Sequence, residues 1–333
     1  MEVSLMAFSR WLIRCGVAFG SCFFSMTAAC FAESCIVVDS DADLDDYRAV
    51  AVIASTGRLT AIVVTEGISR SNEGAGAMGE FIRRSGLSIP VVAGASANPR
   101  RGYTPKPDFP RWRDSAERLN GLLGAAIVAS PESADMVSML GDLTSKCSAI
   151  SLVVIGPWTS FMRYAPELLE KVDRIVAQGR PYPDEPGGEP TGFNCTFDIN
   201  SCLAAYDLLV GRQKRADRKL RANWIDIPQG PESCGQAEPG VDRTGQRVFA
   251  FVPNNVWVNE LRTKGGVSAV IADILRANPD GWAKTSLWDD LTALFVLRPE
   301  VFVVRGGHLE PCVPAASIRH LITEAISRIR SAH

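Results

Sequence analysis

Four short runs of this 333-residue chain are apolar almost without a break, Cys35–Val38, Leu59–Thr65 (LTAIVVT), Ile89–Ala93 and Ile150–Ile155, and a fifth, Val172–Ala177, is apolar but for Asp173-Arg174. A strand that is apolar at successive positions must be covered on both faces, which a parallel sheet between helices provides. The segments between the runs read as helices, at Leu44–Ser55, Glu73–Ser85, 115–125, 132–145 and Thr159–Lys171. Strand–helix–strand crossovers then give an α/β fold: a doubly wound, mostly parallel open sheet with helices on both faces. Further along, Ser201–Val210 reads as a helix and 211–220 as a basic, solvated face or turn. Helices at 255–262, 266–277 and 286–297 precede a strand at Val301–Val304, and a last helix spans 314–331. Stretches 97–113, 180–192 and 228–245 are rich in turn-forming residues and read as loops. No repeat and no linker divides residues 33–333, which read as one domain.

The first 32 residues stand apart. Arg10 and Arg14 lead into an apolar, small-residue run that ends at Phe31-Ala32. A basic start, an apolar middle and small residues at the end mark a secretory signal, with cleavage after Ala32. A lipidated Cys30 and an uncleaved anchor are the alternatives. The expected product is an exported protein with no stable membrane span in its mature form. Six cysteines remain after removal of the signal: Cys35, Cys147, Cys195, Cys202, Cys234 and Cys312. An even number in an exported chain permits disulfides. Cys35 and Cys147, in or beside apolar runs, read equally well as buried thiols.

Composition removes several functions. A formal net charge of −2 is wrong for a protein built to grip nucleic acid. The chain has only three histidines, His308, His320 and His333, all near its C-terminus, which disfavours a His-rich zinc centre.

Directly after the first strand, DSDADLDD places Asp39, Asp41, Asp43, Asp45 and Asp46 where open parallel sheets bind ligands. Helix capping accounts for two or three of these acids but poorly for five. Crowded carboxylates raise one another's pKa unless a cation sits among them. An EF-hand loop starting at Asp39 fails, because Leu44 and Val50 occupy its glycine and glutamate positions. Asp39-x-Asp41 also fits the start of a magnesium-dependent, haloacid-dehalogenase-like phosphohydrolase.

A fuller match is to the inosine-uridine-preferring nucleoside hydrolase family. Asp39-Ser40-Asp41-Ala42-Asp43-Leu44-Asp45-Asp46 resembles its DxDPGxDD, with all four acids kept. IPVVAGA (89–95), Gly156-Pro157-Trp158-Thr159, RIVAQG (174–179), Gly192-Phe193-Asn194 and Trp288-Asp289-Asp290-Leu291-Thr292-Ala293 resemble later family motifs, in order. The resemblance implies a nucleoside hydrolase-like fold and a Ca²⁺ held by Asp41, Asp46, the Thr159 carbonyl and Asp289. It further implies a water activated by that ion, with Asp41 as general base, and ribose hydroxyls bound by Asp45 and Asn194. The substrate implied is a nucleoside or related riboside, and family members commonly form homo-oligomers. A calcium-retaining binding protein without turnover is the alternative within the same resemblance. Trp288 replaces the histidine of the family's HDP, and reads either as a stacking surface for the leaving group or as core. Gly192 replaces a glutamate, and Gly67-Ile68 stands where the family has Gly-Asn.

Overall fold

The computed structural model describes residues 33–97, 109–124, 133–179, 192–214, 220–227, 240–241, 247–248, 252–279, 286–305 and 307–329. The expected signal segment 1–32 and most of the 180–192 and 228–245 loops lie outside these residues. In chain order the elements are β1 (Glu33–Ser40), α1 (Leu44–Ala54), β2 (Leu59–Val64), α2 (Ser71–Arg84), β3 (Val91–Ala93), α3 (Phe109–Leu123), α4 (Ser133–Leu143) and β4 (Cys147–Val154). There follow α5 (Thr159–Leu168), β5 (Val172–Gln178), α6 (Phe193–Thr196), α7 (Ile199–Gln213), β6 (Arg221–Ile225) and a small ribbon of β7 (Gly240–Val241) and β8 (Arg247–Val248). The chain closes with α8 (Asn255–Lys264), α9 (Gly266–Ala277), α10 (Trp288–Leu297), β9 (Phe302–Arg305), β10 (His308–Pro311) and α11 (Ala315–Ser327).

Eight strands form one sheet in the order β3-β2-β1-β4-β5-β6-β10-β9, parallel throughout except for β9 against β10. The fold expected from the apolar runs is therefore the one found. Because successive side chains alternate across a strand, Ile36, Val38, Ile62 and Val64 feed one core. Helices α1, α2, α9, α10 and α11 complete that core. Val37, Ala61, Val63, Leu152 and Val154 feed the other, under α4, α5 and α7. From β1 the chain winds outward to β2 and β3, then returns to β4 on the other side of β1. The carboxyl ends of β1 and β4 thus flank the switch point of the sheet, where a crevice opens for ligands.

Two strands of this sheet, and the small β7–β8 ribbon, have no counterpart in the sequence reading. β6 follows directly on the basic stretch 211–220 and carries no assignment in the sequence reading, because Arg221-Ala222-Asn223-Trp224-Ile225 is only partly covered and lacks a continuous apolar signal. β10 (HLEP) ends in proline and is recruited by its pairing with β9. Helix α3 starts at Phe109 rather than near 115, with Pro110 in its first turn, where a missing N–H costs nothing. Helix α7 likewise runs on through the basic residues to Gln213.

Cys35 and Cys147 are joined in a disulfide across neighbouring strands, and a second disulfide links Cys195 to Cys202. No helix among the described residues is long and apolar enough to cross a membrane.

Candidate metal centre

The carboxyl end of β1 turns sharply into α1, and the turn is held by the acids themselves. Asp46, in the first turn of α1, accepts from Ser40 Oγ (2.5 Å) and the Asp41 amide (3.2 Å) through Oδ1, and from the Asp43 amide (2.9 Å) through Oδ2. This is a helix-start acid reaching back over exposed amide donors. Ala42 takes up a φ of +55°, a left-handed conformation more easily met by glycine. Asp41 Oδ2 accepts from the Ile68 amide (2.8 Å) in the turn after β2. The neighbouring Gly67 must stay a glycine, since a Cβ there would lie 2.2 Å from Asp41 Oδ2. Arg113 ties that turn to α3, donating to the carbonyls of Gly67 (2.6 Å) and Ile68 (3.0 Å).

Across the switch point, α10 contributes Asp289. Carboxylate oxygens of Asp45, Asp46 and Asp289 lie within 4.8 Å of one another, all three side chains buried. Asp41 lies beside this triplet and is one of the charges felt by Asp289. Burial, and then neighbouring aspartates, push Asp41, Asp45 and Asp289 well above the usual carboxylate range. Burial likewise raises Asp46, against the hydrogen bonds from Ser40 and Asp43. Among the described residues no lysine, arginine or histidine forms an ion pair with Asp45, Asp46 or Asp289. Hard oxygen donors that converge with no cation in direct contact are the donor set a divalent cation such as Ca²⁺ or Mg²⁺ takes.

Asp39 plays a different part. It is fully buried, with Thr65 Oγ1 at 2.5 Å on one oxygen and Tyr164 OH at 2.8 Å on the other. Burial pushes its pKa from 3.8 to about 7 despite both hydrogen bonds. A raised pKa means that the protonated form is the one the fold favours. Asp39 therefore contributes stability that is complete below about pH 4 and is lost as pH rises through 7, on the order of 4 kcal/mol. The thermal midpoint of the metal-free protein is expected to fall between pH 5 and pH 8, and a midpoint that rises over this range contradicts the assignment.

The remaining sequence-predicted residues spread around this centre. Thr159 begins α5, buried, with Oγ1 donating to Asp198 (2.7 Å), the N-cap of α7. The turn before it packs on the Asp41 backbone, where a Cβ on Gly156 would meet the Asp41 amide nitrogen at 2.9 Å. Asn194, on α6, donates through Nδ2 to the Ile155 carbonyl and to Gln178 Oε1, each at 3.0 Å. Trp288 is 36% exposed at the start of α10, so it is not core. Sequence reading missed Thr65, Tyr164, Gln178 and Arg113. Thr65 and Gln178, each at a strand's carboxyl end, carry a positional signal; Tyr164 and Arg113 depend on tertiary packing.

No protein-family model matches this sequence, and no curated protein matches it. Solved structures do. An inosine-uridine preferring nucleoside hydrolase from Bacillus anthracis superposes with a TM-score of 0.58 at 16% identity, covering 89% of this chain and 100% of that one. A purine-preferring ribonucleoside hydrolase from Gardnerella vaginalis matches with a TM-score of 0.58 at 16% identity, over 88% of this chain and 98% of its own. An inosine-guanosine nucleoside hydrolase matches with a TM-score of 0.57 at 13% identity, over 90% and 100%. At such identities the likeness concerns architecture: the chain has a nucleoside hydrolase-like α/β fold.

Proposed function

We propose that this protein is a Ca²⁺-dependent hydrolase of N-glycosidic bonds in ribonucleosides or related ribosides. The observation that carries the reading is the convergence of Asp45, Asp46 and Asp289 at the switch point, beside Asp41 and within a fold similar to that of nucleoside hydrolases.

In this reading Asp41, Asp46, Asp289 and the Thr159 carbonyl hold the cation, with Asp45 close enough to join them. When bound, the ion supplies Lewis acidity and compensates the crowded carboxylates. Cleavage of an N-riboside passes through an electron-poor, oxocarbenium-like sugar, which negative charge near the ring stabilises. Asp41 takes the proton from the attacking water, as a base whose Oδ2 is fixed by the Ile68 amide. Asp45 and Asn194 bind sugar hydroxyls, and the exposed Trp288 offers a ring face to a planar leaving group.

The phosphohydrolase alternative needs Asp39 as a nucleophile. Its burial and its two hydrogen bonds argue against that role. Export belongs to the same proposal, since the signal-like residues 1–32 and the Cys35–Cys147 and Cys195–Cys202 bridges suit an oxidising compartment.

A nucleoside panel assayed for free base and reducing sugar, with and without a calcium chelator, tests the reading. Release of both products that is lost on chelation and restored by Ca²⁺ is expected. Calcium binding without any release would leave a non-catalytic binding protein, and magnesium-dependent phosphate release would favour the phosphohydrolase.

A further inference from the structure

Arg48 lies outside every motif and Asp290 stands in the Trp288–Ala293 motif without a role of its own, yet the two form a fully buried ion pair. The Arg48 side chain is 1% exposed and that of Asp290 is 0% exposed. Arg48 Nε donates to both carboxylate oxygens of Asp290 (2.9 and 3.0 Å), and Nη2 donates to Oδ2 at 2.7 Å. Nη2 also reaches the Ser286 carbonyl at 3.4 Å, just before α10. Such a forked contact fixes direction as well as distance.

Its placement matters more than its strength. Arg48 follows Asp45 by three residues on α1, on the same side of the helix, and Asp290 directly follows Asp289 on α10. The pair therefore joins the two helices that each supply part of the carboxylate triplet, 242 residues apart in sequence. The guanidinium charge is also felt by Asp45 and Asp289, one acid from each helix. Its Nη1 makes no hydrogen bond, although it is buried. Well-packed apolar residues commonly match or better a buried ion pair in stability, so stability alone explains this one poorly.

We propose that the Arg48–Asp290 pair is a positioning clamp for the cation centre, holding α1 against α10 so that Asp45 and Asp46 meet Asp289 before any ion arrives. The inference rests on the cation-binding reading above and adds to it two residues that touch neither ion nor substrate. Outer partners that orient ligands typically alter metal affinity 10- to 100-fold.

The test uses the full mature protein, with Ca²⁺ titrated by calorimetry and the metal-free thermal midpoint measured in parallel. Arg48→Met alone strands the Asp290 charge and is expected to lower the midpoint sharply. The double replacement Arg48→Met/Asp290→Leu removes both charges, leaves net charge unchanged and fills the space. It is expected to recover most of the midpoint while its Kd for Ca²⁺ rises at least about tenfold. Asp290→Asn, of the same size, serves as a second variant and is expected to weaken Ca²⁺ binding in the same direction. Affinity within twofold of the parent in whichever of these variants folds overturns the clamp and leaves a structural ion pair. Absence of Ca²⁺ binding by the parent protein overturns both the clamp and the cation reading beneath it, an outcome distinct from the first.

Discussion

Asp41→Asn is expected to lower kcat/KM for nucleoside hydrolysis by about 10³-fold, within the range for loss of a general base. The change is small in structure. Asparagine keeps an oxygen for the Ile68 amide, so the turn after β2 retains its hydrogen bond. It also removes one charge from a cluster in which burial and the neighbouring Asp46 and Asp43 already raise Asp41. Without metal, then, the variant should melt no lower than the parent, and higher at pH 8, where the carboxylates repel most. Activity and stability move in opposite directions, which separates a chemical role from a structural one. Asp43→Asn is the control. Asp43 lies outside the triplet, and burial with the Asp46 charge pushes it up to about 7. Its loss should change kcat/KM by less than about tenfold. Activity in Asp41→Asn within a few-fold of the parent would falsify the base assignment.

The reach of sequence reasoning in this protein follows how local each signal is. The first five strands announce themselves because burial on both faces favours apolar runs, and Ile36–Val38 or Ile62–Val64 admit little else. The aspartates at the end of β1 were equally legible, since their spacing and the strand before them lie in one short segment. β6 and β10 are not legible in this way: β6 is only partly covered, and β10 is a four-residue run with charged and proline residues, so both are defined by the strands they pair with. The candidate centre divides in the same way. Asp41, Asp45 and Asp46 were found from adjacent letters and Asp289 from a resemblance. Arg48, Thr65, Tyr164 and Arg113 act through partners 26 to 242 residues away, and no local pattern records such pairings. The disulfides fall between these cases: an even cysteine count permits them, while the choice between bridge and buried thiol needs the pairing of β1 with β4, which brings the Cys35 and Cys147 Cα atoms to 5.7 Å.

That bridge sets up the second large effect. The Cys35→Ala/Cys147→Ala variant is expected to lose about 5 kcal/mol of stability, because the link closes a span of 112 residues and so removes much chain entropy from the unfolded state. For a domain of this size that corresponds to a fall of roughly 10 °C in thermal midpoint. Catalysis should survive. Cys35 lies six positions before Asp41 along an extended strand, which places the bridge about 20 Å from the centre. The Cys195–Cys202 bridge makes the opposite pairing of effects. It spans only seven residues, for about 2 kcal/mol of stability, yet Cys195 adjoins Asn194 on a four-residue helix too short to hold itself. Cys195→Ser/Cys202→Ser should therefore cost less in melting temperature and more in KM, with kcat nearly kept. Melting curves and steady-state kinetics on both double variants decide the matter. If the first variant loses kcat in proportion to its stability, the two ends of β1 are coupled in a way that a rigid central strand does not permit. If the second leaves KM unchanged, Asn194 is held in place by its bonds to Ile155 and Gln178 alone.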